Sequence, residues 1–310
     1  MPNAAPKIAV APTDHEWYEG VSGAVQRGGG QLASSEDAEA LVWLARGGIP
    51  GLADWLHPGT RWVQLRGAGV EYWLNSGELD HERLFTSARG AYARPVGEHV
   101  AALVLAAAKR LHVCARATAW DAAVGEGRLL RGARVGIIGA GGIGQEAIRY
   151  LEPYGVRIAA VTRSGREVPG ADESLSADSL PELWPQLDYA VLLAPATSET
   201  TALVGRAELA AMPDDAWVIN VARGSLIDTD ALVDALRNDE IGGAALDVTT
   251  PEPLPPEHPL WTLPNVLITP HVGNPKGMQL PMLEDHVEEN VSRYVRGKEL
   301  LATVDVEAGY

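Results

Sequence analysis

Short apolar runs alternate with stretches of helical spacing along most of this chain. Residues 7–12 read as a first strand, and helix-like and strand-like pieces follow at 17–27, 38–44, 51–56 and 62–65. Residues 96–111 are apolar nearly all round, which predicts a helix buried at a domain or subunit interface, with Pro95 suited to its first turn. Val135, Ile137 and Ile138 then mark a buried strand, and Ile143, Ala147 and Leu151 recur at helical spacing with Gly155 as a stop. Further strands are predicted at 156–161, 188–193, 216–220, 243–248 and 265–271, and a last helix of mixed polarity at 285–296. Repeated strand–helix alternation predicts an α/β chain with parallel sheets. The crossing between a first α/β unit and a second falls near Pro95.

The turn between the Val135 strand and the Ile143 helix reads Gly139-Ala-Gly141-Gly142-Ile143-Gly144. Its glycines occupy G-x-G-x-x-G positions between a strand and a helix, the arrangement that binds a dinucleotide. Gly139 allows the turn, Gly141 lets a pyrophosphate approach the backbone, and Gly144 lets the helix pack on the strand. The helix start presents N–H groups and the positive end of its dipole to the phosphates.

The end of the next strand bears on which dinucleotide binds. An acid there holds the ribose 2′-hydroxyl of NAD, whereas a 2′-phosphate calls for arginine. Here the chain reads Thr162-Arg163-Ser164-Gly165-Arg166, with no acid. NADP is therefore favoured over NAD.

Composition narrows the partners. A net charge of −16 over 310 residues, with no offsetting basic stretch, argues against nucleic acid and against anionic membranes. The single cysteine, Cys114, excludes an internal disulfide and reads as packing. The first residues lack a signal-peptide apolar core, so the cytoplasm is expected. No metal site is expected. A small-molecule substrate remains.

Several strands finish in polar residues, and in an open parallel sheet those ends line the ligand crevice. Arg223, Glu252 and His271 all stand at or just beyond such ends. Beside a nicotinamide, a hydride needs a partner proton, and histidine is the natural source. A carboxylate next to it would hold its tautomer and stabilise the imidazolium. An arginine can bind a substrate carboxylate with a forked contact. In the first unit, the strand at 62–65 runs into Arg66-Gly67-Ala68-Gly69-Val70, a glycine-rich loop that either connects or offers backbone N–H groups to an anion.

These stretches resemble the D-isomer-specific 2-hydroxyacid dehydrogenases. The likeness is carried by residues 136–144, by Asn-Val-Ala-Arg-Gly-Ser-Leu-Ile-Asp at 220–228, by Ala-Ala-Leu-Asp-Val at 244–248 with Pro-Glu-Pro-Leu-Pro at 251–255, and by Asn-Val-Leu-Ile-Thr-Pro-His at 265–271. It extends back through residues 66–70 and 95–99. The resemblance implies that Arg223 binds the substrate carboxylate, that Glu252 orients the histidine, and that His271 is the acid/base. It places Gly67, Ala68, Gly69 and Val70 on the loop receiving the carboxylate. Gly139, Gly141, Gly142, Ile143, Gly144, Thr162, Arg163, Ser164, Arg166, Pro195, Ala222 and Asp247 fall on the cofactor side, Asp247 as an aspartate behind the crevice.

The resemblance also implies two Rossmann-like domains: a discontinuous substrate domain of residues 1–95 and 280–310, and a dinucleotide domain of 96–279, paired as a homodimer. Its favoured substrates are glyoxylate or hydroxypyruvate, with phosphoglycerate oxidation or a non-catalytic, dinucleotide-sensing corepressor as alternatives. Two departures stand out. Thr162 replaces the NAD-selective aspartate, and Asn274-Pro275-Lys276 follows the histidine where many relatives carry small residues and Ser or Thr.

Overall fold

The computed structural model describes residues 5–45, 51–120 and 126–307. The first four residues, read above for a leader, and the end of the tail at Tyr310 lie outside them. Along the chain run β1 (Lys7–Ala11), α1 (Tyr18–Arg27), β2 (Gln31–Leu32), β3 (Ala40–Trp43), β4 (Trp62–Leu65), α2 (Glu71–Ser76), β5 (Leu84–Thr86), α3 (Ala93–Ala108) and α4 (Leu111–Arg116). Then come β6 (Arg134–Ile138), α5 (Gly142–Leu151), β7 (Arg157–Thr162), β8 (Glu173–Ser176), α6 (Leu180–Leu183) and β9 (Tyr189–Leu192). The series ends with α7 (Arg206–Ala211), β10 (Trp217–Asn220), α8 (Thr229–Arg237), β11 (Gly243–Leu246), β12 (Val266–Ile268) and α9 (Lys276–Val295). No helix among the described residues is long and apolar enough to cross a membrane.

The chain divides into two compact units, residues 1–92 with 275–310, and residues 93–274. The first holds a five-stranded sheet of order β2-β1-β3-β4-β5, the second a seven-stranded sheet of order β12-β11-β10-β9-β6-β7-β8. Every ladder in both sheets is parallel. Parallel strands are covered on both faces, which is why β3, β4, β9, β10 and β11 are buried at every position.

In the first unit, α9 lies along α1 and buries Leu283, Val287 and Val291 among Val21, Ala24 and Val25. A buried polar chain ties the unit's last segment to its sheet. Trp62 Nε1 donates to Thr86 Oγ1 (2.8 Å), Thr86 to Gln64 Oε1 (2.9 Å), and Asn290 Nδ2 to the same Gln64 oxygen (2.7 Å). Asn290 Oδ1 also accepts from the Leu301 N–H at 2.7 Å. Helix α9 begins nine residues before the predicted 285. Its Pro281 removes only a bond to Gly277, whose exposed carbonyl region water can serve.

In the second unit, α3 packs on α5 so closely that a Cβ on Gly97 would lie 2.6 Å from Glu146 Cβ. Helix α3 starts at Ala93, before Pro95, and stops at Ala108, because Arg110 turns the chain at φ +51°. It exposes only Arg94, Glu98 and Ala102, in line with its apolar sequence. Cys114 departs from the packing expectation: α4 is short and leaves the thiol exposed.

Gly139 combines a left-handed backbone with a close approach of the next strand's end. Its φ is +98°, and a Cβ there would lie 2.5 Å from Ala194 N. Gly139→Ala should cost about 2–4 kcal/mol, combining left-handed strain with overpacking. Urea unfolding of the variant against the wild type checks it.

Candidate active site

The second sheet lines up its strand ends. Val161 pairs with Ile138, Ile138 with Leu192, Leu192 with Asn220, Asn220 with Leu246, and Leu246 with Ile268. Each candidate segment departs from this one row of residues. Gly139 follows Ile138, Thr162 follows Val161, and Pro195 comes three after Leu192. Arg223 comes three after Asn220, Asp247 follows Leu246, and His271 comes three after Ile268. The carboxyl edge of an open parallel sheet is where ligands sit.

At the glycine loop, the N–H groups of Gly139 and Ala140 both donate to Val161 O at 2.9 Å, pinning the turn to β7. Gly141 precedes α5 in extended conformation, and a Cβ there would meet nothing nearer than Gly139 O at 4.0 Å. That open space, beside the helix-start N–H groups of Gly142 and Ile143, fits a diphosphate. Gly144 faces inward, where a Cβ would crowd Ile137 Cγ2 at 3.0 Å.

Beyond β7, Thr162 is buried and its Oγ1 has no hydrogen-bond partner among the described residues. Arg166 donates from Nη2 to Ala140 O at 3.0 Å, which brings its guanidinium back onto the glycine loop. Arg163 is 70% exposed and pairs at 3.6 Å with Glu199, from the segment after Pro195. Ser164 is exposed and bridges to Ser176 at the end of β8. Two cations and two hydroxyls thus stand beside the glycine loop, with an orphaned buried hydroxyl among them, and these groups fit a phosphorylated ribose.

On the other side of the row, Asn220 is fully buried and shapes the segment that follows. Its Oδ1 accepts from Ala222 N–H at 3.0 Å and its Nδ2 donates to Arg223 O at 2.8 Å. Arg223 donates from Nη1 to Ala222 O at 2.8 Å. His271 Nδ1 stands 2.6 Å from Glu252 Oε1, with both side chains about half exposed. With Nδ1 tied to the carboxylate, Nε2 is the nitrogen left to face a substrate.

His271 itself adopts a left-handed backbone, φ +52°, which is uncommon for a residue with a Cβ. Its N–H bonds to Asp247 O at 2.8 Å and to Thr269 O at 2.9 Å. The Asp247 carboxylate, 3% exposed, accepts from Thr269 Oγ1 (2.6 Å), Val272 N–H (2.9 Å) and Gly273 N–H (3.0 Å). His99 Nε2, from α3, lies 3.3 Å from the same carboxylate and 3.1 Å from Thr269 Oγ1. Burial pushes the Asp247 carboxyl up, but the hydrogen bonds from His99, Thr269, Val272 and Gly273 outweigh it and bring it down to about 2. Asp247 was grouped with the cofactor residues from sequence. Its oxygens accept from the turn that carries His271, as suits an aspartate behind the crevice.

In the first unit, none of the N–H groups of Gly67, Ala68, Gly69 and Val70 donates a hydrogen bond among the described residues. The loop is held by its carbonyl side, Ala88 N–H donating to Gly67 O at 2.8 Å.

Sequence reading passed over three parts of this machinery: Asn220, Thr269 and His99. His99 falls within the helix at 96–111, for which the sequence predicts only burial. Only its spatial meeting with Asp247, nearly 150 residues away, shows otherwise. Asn220 had a signal, since asparagine after a buried strand shapes turns through its own side chain.

Comparison with known proteins identifies the family. Residues 101–273 match the family described as D-isomer specific 2-hydroxyacid dehydrogenase, NAD binding domain. The chain is 37% identical over 292 residues to an uncharacterized protein in the proB 3′ region of Corynebacterium melassecola, covering 93% of this chain and 95% of that one. It is 35% identical over 177 residues to glyoxylate/hydroxypyruvate reductase A of Klebsiella pneumoniae, a match covering 57% of this chain and 56% of that reductase. A crystal structure of a D-isomer specific 2-hydroxyacid dehydrogenase from Xanthobacter autotrophicus Py2, in complex with NADPH and MES, superposes with a TM-score of 0.85. It is 26% identical and covers 99% of this chain and 100% of that one.

The Asp247 network has a pH signature. Because its folded-state pKa of about 2 lies below the ordinary 3.8, its stabilisation is complete above the ordinary value and is lost as pH falls toward 2. Unfolding midpoints of the wild type should therefore drop between pH 4 and 2 more steeply than those of Asp247→Asn.

Proposed function

This chain belongs to the D-isomer specific 2-hydroxyacid dehydrogenases, an NAD(P)-dependent oxidoreductase family, and on that premise we propose that it reduces small 2-ketoacids with NADPH. The observation that carries the reading is the 2.6 Å His271–Glu252 pair, rooted in the same row of strand ends as the glycine loop. Glyoxylate and hydroxypyruvate are the favoured substrates, as named for the Klebsiella relative.

The nicotinamide cofactor, when bound, supplies or takes the hydride at the substrate's second carbon. Gly139, Gly141, Gly142, Ile143 and Gly144 hold its diphosphate, and Pro195 and Ala222 border it. Thr162, Arg163, Ser164 and Arg166 recognise the 2′-phosphate, which favours NADP over NAD. Arg223 takes the substrate carboxylate with its guanidinium fork. The N–H groups of Gly67, Ala68, Gly69 and Val70, which donate to nothing among the described residues, are the further carboxylate donors the reading calls for.

His271 Nε2 gives a proton to the oxygen of the reduced carbonyl, and Glu252 stabilises the imidazolium before transfer and holds Nδ1–H throughout. Asp247, Thr269 and His99 keep the turn at 271–273 in place, so the imidazole is presented in one orientation. The first unit is the substrate domain and the second the cofactor domain. The protein acts as a cytoplasmic homodimer built on the second unit. Exposed Leu111, Trp120 and Leu129, which lie between α3 and β6, are the apolar surface such a dimer would cover.

His271→Ala should lower kcat by about 10²–10⁴-fold while leaving NADPH affinity nearly unchanged, in line with loss of acid–base catalysis. Steady-state kinetics with glyoxylate and a cofactor titration check both, and near-normal turnover would remove the assignment. Thr162→Asp combined with Arg163→Ala should shift the NADPH/NADH ratio of kcat/KM toward NADH by about 10–100-fold, the worth of one or two charged hydrogen bonds. Competition between the two cofactors in the wild type and the double variant measures that shift.

A further inference from the structure

In the second sheet β6 lies between β9 and β7. The glycine loop leaves β6, so two segments flank it, one departing from β7 and one from β9. In an open parallel sheet a dinucleotide lies across these strand ends, with its adenosine half beyond the second strand of the unit. A contact that joins the two flanking segments therefore borders the adenosine half.

Arg163 and Glu199 make that contact. Arg163 Nη2 lies 3.6 Å from Glu199 Oε2, and both side chains are mostly exposed. The two arginines after β7 thus differ in what they hold. Arg166 donates to Ala140 O and is committed to the glycine loop. Arg163 reaches instead to an acid of the segment that follows β9.

Glu199 is carried there on a turn that its neighbours fix. Thr197 N–H donates to Thr200 Oγ1 at 2.8 Å, and Thr200 Oγ1 donates to Pro195 O at 2.6 Å. Thr201 N–H closes onto Thr197 O at 3.0 Å, and Ala202 N–H is tied to Ser225 O at 2.8 Å. The carboxylate is therefore placed near Arg163 by its backbone and not by the ion pair alone. A pair this exposed contributes little to stability. Its consequence lies in what else the same guanidinium has to bind.

The groups after β7 fit a 2′-phosphate: the buried, orphaned Thr162 hydroxyl and the two arginines, with no acid of their own segment among them. A phosphate arriving at Arg163 has to take the guanidinium from Glu199, because both want the same charge-assisted hydrogen bonds. A ribose 2′-hydroxyl is neutral and does not enter that contest.

We propose that Glu199 is a specificity determinant for the cofactor: it competes with the 2′-phosphate for Arg163 and holds the preference for NADP below what the segment after β7 would set alone. This rests on the NADP preference proposed above and deepens it.

The test titrates 2′,5′-ADP and 5′-AMP, the adenosine half with and without the 2′-phosphate, into the wild type, Glu199→Gln, Arg163→Ala and the double variant, followed by calorimetry. Both side chains are exposed, so neither substitution touches the core. Glu199→Gln should tighten 2′,5′-ADP by about 2–5-fold, the worth of one exposed ion pair, and leave 5′-AMP within about 1.5-fold of wild type. The gain should fade at about 0.5 M KCl, where exposed charges are screened. In the Arg163→Ala background it should shrink below about 1.5-fold, since no guanidinium is left to compete for.

Equal gains for both nucleotides overturn the proposal. So does a loss on Glu199→Gln, which would make Glu199 a support for Arg163 rather than a rival of the phosphate. A full gain in the Arg163→Ala background overturns it too, because Glu199 would then act by repulsion without the pair. A wild type that prefers 2′,5′-ADP while Glu199→Gln changes nothing leaves the NADP preference standing and overturns the competition alone. A wild type that binds both nucleotides alike overturns the preference and the competition together. These titrations do not involve turnover, so failure to reduce any ketoacid bears on the reductase reading only.

Discussion

The in-phase row of strand ends in the second sheet is the constraint on which the candidate site depends. Parallel pairing sets Val161, Ile138, Leu192, Asn220, Leu246 and Ile268 side by side. Because the strands are buried on both faces, polar side chains find room only where the strands stop. The glycine loop, the Thr162–Arg166 segment, Arg223, Asp247 and His271 therefore leave the sheet along a common edge. A slip of one residue in any of these ladders would turn that strand's side chains to the opposite face and displace whatever follows it.

Within that edge the histidine turn carries the most strain. His271 holds a left-handed backbone, and the carboxylate of Asp247 gathers two successive main-chain N–H groups and the Thr269 hydroxyl around it. A buried carboxylate would be costly alone, but three hydrogen bonds and the His99 ring compensate for its desolvation. The charge thereby fixes a backbone. Glu252 then needs to make only one contact, at Nδ1, to define which nitrogen of His271 faces outward.

Much of this was legible along the chain. Strands at 62–65, 188–193 and 216–220 stood out because both-face burial writes an uninterrupted apolar run. The glycine loop stood out because Gly139 must take a positive φ and Gly144 must pack against Ile137. Thr162, Arg223, Glu252 and His271 are candidates by chemistry and position together. The short edge strands β2, β5 and β8 escaped, since two to four partly exposed residues carry almost no periodic signal. So did the early start of α9, whose first three residues are exposed and whose second turn includes a proline. Cys114 was misplaced because its helical stretch looked apolar, whereas α4 is too short to bury more than His112.

By itself the sequence determined the α/β class, the dinucleotide loop, the absence of an acid at the end of β7 and the identity of the candidate acid/base pair. All of these follow from local patterns: apolar runs, glycines where a Cβ would collide, and residue types with one chemical use in that context. Only the tertiary structure decided that Asp247 serves the histidine turn with His99 and Thr269, that Arg166 folds back onto the glycine loop, and that Arg163 meets Glu199. These contacts join segments from 22 to 170 residues apart. Their partners are chosen by strand order and register, which the ladders set across the whole sheet and no local pattern encodes.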